Sequence, residues 1–186
     1  MLGELELETA TSSTQDIIDH TSITAKQLYY NEKEKVAIDQ LAALLQPVRF
    51  EEVRNELVNQ GFRKGFACLF HGAPGTGKTE TVLQLARATG RNLMQVNISD
   101  IKSMWVGESE KNIKAIFTRY RRLVDESEVA PILLFNEADA IISKRLENVQ
   151  RSVDKMENSM QNIILEEIEK LDGILIATTN LTCNMD

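Results

Sequence analysis

The chain has 186 residues, 42% of them hydrophobic and 26% charged, which is the balance of a globular protein with one substantial core. Its 21 basic and 28 acidic residues leave a formal charge of −7 and a sequence pI near 5.0, which argues against a dedicated nucleic-acid binder. Two cysteines without CxxC spacing make neither a disulfide framework nor a metal site, and no apolar run approaches the length of a membrane span. A reduced, cytoplasmic protein is the expectation, and the N-terminus lacks the basic patch and apolar core of a signal peptide.

Residues 1–28 are read as an N-terminal arm of no assigned role. Leu2, Leu5 and Leu7 are interleaved with polar residues there, a pattern that fits either a short edge strand or a mobile arm. Residues 29–186 read as a single domain. Asn31 caps a helix running to about Gln46, with Ala37, Leu41, Leu44 and Leu45 on one face and Pro47 ending it. A second helix spans about Phe50 to Gln60, with Phe50, Val53 and Leu57 inward and Gly61 as its stop. Phe66-Ala67-Cys68-Leu69-Phe70 then reads as a buried strand.

Gly72-Ala73-Pro74-Gly75-Thr76-Gly77-Lys78-Thr79 follows that strand and matches G-x-x-x-x-G-K-[ST] at every fixed position. The glycines let the backbone turn tightly and approach a ligand, so that amides converge on phosphate oxygens. Lys78 supplies a point charge for terminal phosphates, Thr79 a hydroxyl for Mg²⁺, and the helix that opens there turns its positive end toward the anion. That helix has Val82, Leu85 and Ala86 on one face and stops at Gly90.

Asn92 to Ile98 alternates as a second strand. A helix from about Ser109 to Val124 carries Ile113, Ile116, Phe117, Tyr120 and Val124 on one face. Pro131 to Phe135 is the continuous apolar run of a parallel strand buried on both faces, ending in Asn136-Glu137-Ala138-Asp139. Residues 143–155 read as an exposed polar connection. Met156, Met160, Ile163, Ile164 and Leu171 mark another helix, and Ile174 to Asn180 a fourth strand. Strands alternating with helices predict a parallel sheet covered on both faces.

Ligands of open parallel sheets bind beyond the carboxyl ends of the strands. Three such ends carry reactive groups: the phosphate loop, Asn136-Glu137 and Thr179-Asn180. If those strands are neighbours, Glu137 can orient and deprotonate a water for attack on a terminal phosphate. Asn180 can then hydrogen-bond that water or the phosphate. His20 and His71 are scattered and attract no role.

Gly72–Thr79, Ile132–Asp139 and Ala177–Asn180 resemble the Walker A, Walker B and sensor-1 elements of the AAA+ ATPases. Trp105-Val106-Gly107-Glu108-Ser109-Glu110-Lys111 resembles the aromatic–hydrophobic–glycine pore loop of the AAA subgroup. The resemblance covers about residues 35–186 and is similar in detail to small bacterial AAA proteins. It implies an α/β fold, the three-layer P-loop NTPase sandwich with a mostly parallel sheet, here preceded by N-terminal helices. It implies ATP and Mg²⁺ as cofactors. Gly72 to Thr79 and the adjoining Glu80 would hold the nucleotide, and Thr79 and Asn136 the metal. Lys78, Glu137 and Asn180 would serve catalysis. It further implies a homo-oligomeric ring, usually a hexamer, that pulls a polypeptide through its centre with Trp105 and Val106 as grip and Gly107 as hinge.

Two departures accompany the resemblance. Asn136 stands where the family usually has Asp, which keeps size and hydrogen bonding but removes a charge near the metal. The chain also stops at Asp186, before the family's arginine fingers, fifth core strand and helical lid, and nothing matches Arg145 or Arg151 to a finger. The expectation is a truncated, weakly active piece of an ATP-hydrolysing motor. Two other classes are a nucleotide-gated binding or scaffold module with little turnover, and a loader acting on nucleic acid, against which the acidity and the pore-loop match both count.

Overall fold

The computed structural model describes residues 15–98, 109–139 and 152–180. Five strands form one sheet: β1 (Gln15–Ile18), β2 (Phe66–His71), β3 (Leu93–Asn97), β4 (Ile132–Asn136) and β5 (Ile174–Thr179), in the spatial order β1-β3-β4-β5-β2. β3, β4, β5 and β2 run parallel, with Leu93 opposite Ile132, Ile132 opposite Ile174 and Phe66 opposite Ile174. Their amino ends are therefore level, and their carboxyl ends emerge together. β1 pairs antiparallel with β3 at one margin. β4, β5 and β2 are adjacent, so the three reactive strand ends are neighbours.

Among the described residues the α-helices are α1 (Glu32–Leu44), α2 (Pro47–Asn59), α3 (Lys78–Ala88), α4 (Ser109–Glu126) and α5 (Ser152–Glu169). Strand periodicity divides the sheet's side chains between two cores. Leu133, Phe135 and Leu175 face one way, against Ile113, Ile116, Phe117 and Tyr120 of α4 and Met160, Ile163 and Ile164 of α5. Phe117 meets Phe135 edge to face, with ring centroids 5.6 Å apart. Ile132, Leu134, Ile174 and Ile176 face the other way, against Val82 and Ala86 of α3 and against Leu45 and Phe50. The result is the three-layer sandwich of a P-loop NTPase, its central strands buried on both faces as the apolar runs require.

The structure corrects several local expectations. β2 lies at the sheet's margin, so it has a neighbour on one side only; none of its residues is fully buried and Leu69 is 37% exposed. α1 forms behind an Asn31–Glu34 capping box, but none of its residues is fully buried and Ala37 is exposed. The α1–α2 hairpin reaches the core only around its turn, through Leu41, Leu45 and Phe50, which leaves Leu57 exposed. Pro47 does more than end α1: it is the first residue of α2, where its missing N–H has no partner to lose. α5 begins at Ser152 and so takes in part of the stretch expected to be a connection.

β1 falls within the stretch read as an arm, and the segment after it crosses α3. Lys26 Nζ pairs with Glu80 at 2.6 Å, Gln84 Nε2 donates to the Thr24 carbonyl at 2.9 Å, and Tyr30 Oη lies 2.9 Å from Thr81 Oγ1. His20 is likewise structural, its ring Nδ1 lying 2.9 Å from Asn92 Oδ1.

Candidate active site

β2 ends at His71 and α3 opens at Lys78, so the loop between them turns at the carboxyl edge of the sheet. Gly75 and Gly77 have φ of 77° and 84°, a left-handed conformation costly for any residue with a Cβ. The loop is also tied internally: Thr76 Oγ1 donates to the Ala73 carbonyl at 2.9 Å. The Lys78 ammonium folds back over it, donating to the carbonyls of Gly72 and Ala73, each at 2.8 Å. Its third contact is Asn180 Oδ1, at 3.0 Å. An ammonium carries three protons, so these bonds employ all of them.

Asn136, at the end of β4, is the hub of a second network. Its Oδ1 accepts from Thr79 Oγ1 at 2.8 Å and from Thr178 Oγ1 at 2.9 Å, and its Nδ2 donates to Asn97 Oδ1 at 3.2 Å. The amide thus joins the ends of β3, β4 and β5 to the first turn of α3. Glu137 follows with φ of 53°, the only positive φ at a non-glycine residue among those described. Its backbone N–H donates to Thr178 Oγ1 at 3.3 Å, and the residue is exposed. A left-handed backbone at a bulky residue persists only where neighbouring contacts hold it, and such residues cluster at functional sites.

Pro74, Gly75, Gly77, Lys78, Thr79, Glu80, Asn136, Glu137 and Thr178 to Asn180 line one cavity of about 370 Å³. That volume lies within the range of small-ligand pockets. Cationic lysine, loop amides and the amino end of an eleven-residue helix converge on it, a combination that suits phosphate. Glu80 lies on its rim with the carboxyl below the ordinary range, chiefly through the Lys26 hydrogen bond.

A family profile described as "ATPase family associated with various cellular activities (AAA)" matches residues 68–186. The chain belongs to the AAA family. It is 29% identical over 133 residues to a "Peroxisomal ATPase PEX6" of Penicillium chrysogenum, which covers 71% of this chain and 8% of that protein. It is 27% identical over 159 residues to "Cell division protein C" of Sulfolobus acidocaldarius, covering 82% of the chain and 41% of the relative. "Protein SAV" of the same organism is 32% identical over 142 residues, covering 72% and 16%. The chain therefore spans less than half the length of these relatives.

Within this AAA-family chain, Pro74, Gly75, Gly77 to Glu80, Asn136, Glu137 and Asn180 line the same cavity, and Gly72, Ala73 and Thr76 belong to the loop beside it. Trp105, Val106 and Gly107, and likewise Arg145 and Arg151, lie outside the described residues. The sequence reading assigns no role to Asn97 or Thr178, places Thr179 at a reactive strand end, and includes Asp139 only as the close of the run after β4. Asp139 Oδ1 accepts from Thr179 Oγ1 and, at 2.8 Å, from the Asn180 N–H. Asn97 ends β3 and Thr178 lies one residue before the end of β5, so the rule that ligands gather at carboxyl strand ends, applied to every strand, reaches both. The site's oxygen donors, Thr79 Oγ1 and Asn136 Oδ1, are of the kind that suits Mg²⁺, which takes much of its coordination from phosphates and water. Among the described residues no three His, Cys, Asp or Glu side chains gather into a metal-binding group, and no helix is long and apolar enough to cross a membrane.

Proposed function

We propose that this chain binds ATP with Mg²⁺ and hydrolyses it, and that the protein containing it couples turnover to remodelling a polypeptide. The observation that carries the reading is the cavity shared by Lys78, Asn136, Glu137 and Asn180 beside the phosphate loop. The loop amides and Lys78 take the phosphate tail, and Lys78 moves its proton donors from the loop carbonyls toward the terminal phosphates. Thr79 and Asn136 would hold the metal, which would supply neutralisation of phosphate charge. Glu137 accepts the proton of the attacking water, and Asn180 hydrogen-bonds the terminal phosphate. Phosphoryl transfer requires mainly positioning and charge neutralisation, so this set of groups is sufficient.

The nucleotide-binding domain is assigned to residues 29–186, and the ring, the hexameric state and the cytoplasmic setting belong to the whole protein. The polypeptide substrate and the grip by Trp105, Val106 and Gly107 are supported by the sequence match alone. A large flat ring beside a glycine suits contact with varied side chains. Glu137→Gln is expected to remove hydrolysis, by about a hundredfold or more, while ATP affinity stays within about twofold. Unchanged turnover in that variant would take Glu137 out of the role.

Asn136 favours a second reading, a nucleotide-gated scaffold. Its amide meets Thr79, Thr178 and Asn97 without a charge that would hold Mg²⁺ strongly. That reading expects tight ATP binding with negligible phosphate release by the unmodified full-length protein, so the same assay separates the two.

A further inference from the structure

We propose that Asp139 is a positioning residue for Asn180, fixing the side chain that meets the terminal phosphate. The inference rests on the reading of Asn180 just given. Sheet pairing does not reach Asn180: β5 is paired with β2 as far as Thr179 opposite His71, and with β4 only as far as Ala177 opposite Phe135. Its backbone is instead held by the turn that leaves β4. The Ala138 N–H donates to the Thr178 carbonyl at 2.8 Å and the Glu137 N–H to Thr178 Oγ1 at 3.3 Å. Asp139 completes the clasp, one carboxylate oxygen receiving both the Thr179 hydroxyl and the Asn180 N–H.

Charge-assisted bonds of this kind are stronger and more directional than neutral ones. The Asn180 side chain is exposed, and its Oδ1 lies 3.0 Å from Lys78 Nζ. Without an anchor on its backbone, that amide would have freedom to swing away from the phosphate position. The chain of control runs from Asp139 through the Asn180 backbone to its amide, and from there to Lys78. Because Glu137 and Asp139 lie in the same turn, one short segment bears both the proton acceptor and the anchor of the phosphate contact.

The test is direct titration of the full chain with Mg·ADP and with a non-hydrolysable Mg·ATP analogue, taking the ratio of the two affinities. Asn180→Ala should lower the preference for the ATP analogue. Asp139→Ala should lower it by about fivefold to tenfold, with ADP affinity held within about twofold. Asp139→Asn should restore most of the preference, because its amide oxygen accepts the same two donors. Asp139→Ala combined with Asn180→Ala should fall no further than Asn180→Ala alone.

An equal loss of both affinities, or additive losses in the double variant, would show a merely structural role and overturn the proposal. An unaltered ratio in Asn180→Ala would instead overturn the phosphate reading of Asn180, and the proposal with it. A loss in Asn180→Ala with none in Asp139→Ala would overturn the proposal alone. Thr179→Val removes one of the two donors and carries the same test, with a smaller expected loss, should Asp139→Ala fail to fold.

Discussion

The two ends of the parallel sheet use the same kinds of polar group to opposite purposes. At the amino ends, the Arg91 guanidinium is buried before β3, with Nε donating to the Leu45 carbonyl at 2.8 Å and Nη1 to the Ala130 carbonyl at 2.6 Å. It also stacks over Phe50, 4.9 Å from the ring centroid. Tyr120 Oη, equally buried, accepts from the Ile174 N–H at 2.7 Å and donates its one proton to the carbonyls of Pro131 or Ile174. Burial pushes the Tyr120 hydroxyl well above the ordinary phenol range and the Arg91 guanidinium below its own. At the carboxyl ends, Lys78, Thr79, Asn136, Thr178 and Asn180 bond largely to one another, and the cavity opens onto them. The buried carbonyls of the amino ends are closed to solvent and meet no ligand, whereas the loop carbonyls that hold Lys78 border the cavity. A side-chain partner can rotate, so an incoming phosphate can compete for it. One end fixes the fold, and the other keeps its donors exchangeable.

The sharpest way to break that comparison is at the amino end. Arg91→Ala strands two buried carbonyls and opens a void, so it should lower stability by about 3 kcal/mol or more. Denaturant unfolding measures the loss, while nucleotide affinity of the folded fraction should remain within about twofold. A large change in affinity without a change in stability would mean that the two ends are not separate in function.

At the carboxyl end, Asn136→Asp should act on ligand rather than fold. The substituted carboxylate can accept from Thr79 and Thr178 as the amide oxygen does, and Asn97 would have to turn its own amide to donate where Nδ2 now does. The added charge should strengthen the Mg²⁺ dependence of ATP affinity by about tenfold, equivalent to roughly 1.4 kcal/mol. Titrations with and without chelator read it directly. An unchanged dependence would remove position 136 from the metal's surroundings.

The two ends were unequally legible in the sequence. The phosphate loop could be read because its glycines and lysine have fixed spacing. Asn136-Glu137 and Asn180 could be read because each terminates an apolar run. The network that joins them was hidden, because Asn97 meets Asn136 across 39 residues and Asp139 meets Asn180 across 41, contacts that only the order of the strands brings about. Periodicity likewise revealed α3, α4 and β4, whose apolar positions face one partner consistently. It misjudged β2 and α1, since an apolar pattern states what an element could bury and not whether a neighbour covers it. β1 gave no signal: four residues with adjacent isoleucines show no alternation, and pairing with β3 alone makes them a strand.

The segment crossing α3 supplies the smallest test, because it touches the cavity wall without belonging to either end. Lys26→Ala removes the partner of Glu80 from a lysine that is more than half exposed. The stability loss should therefore stay below about 0.5 kcal/mol at neutral pH. Its pH dependence has a definite sign. The Glu80 carboxyl is held below its ordinary value by Lys26, so the contribution is present above the unfolded carboxylate pKa and fades as pH falls through the lowered folded value. Unfolding curves of the two proteins should differ slightly at neutrality and converge below about pH 4. A difference that persists in acid would mean that the Lys26 stem acts through packing on α3 rather than through charge, since the backbone bond from residue 26 to Gln84 Oε1, at 3.2 Å, survives the substitution.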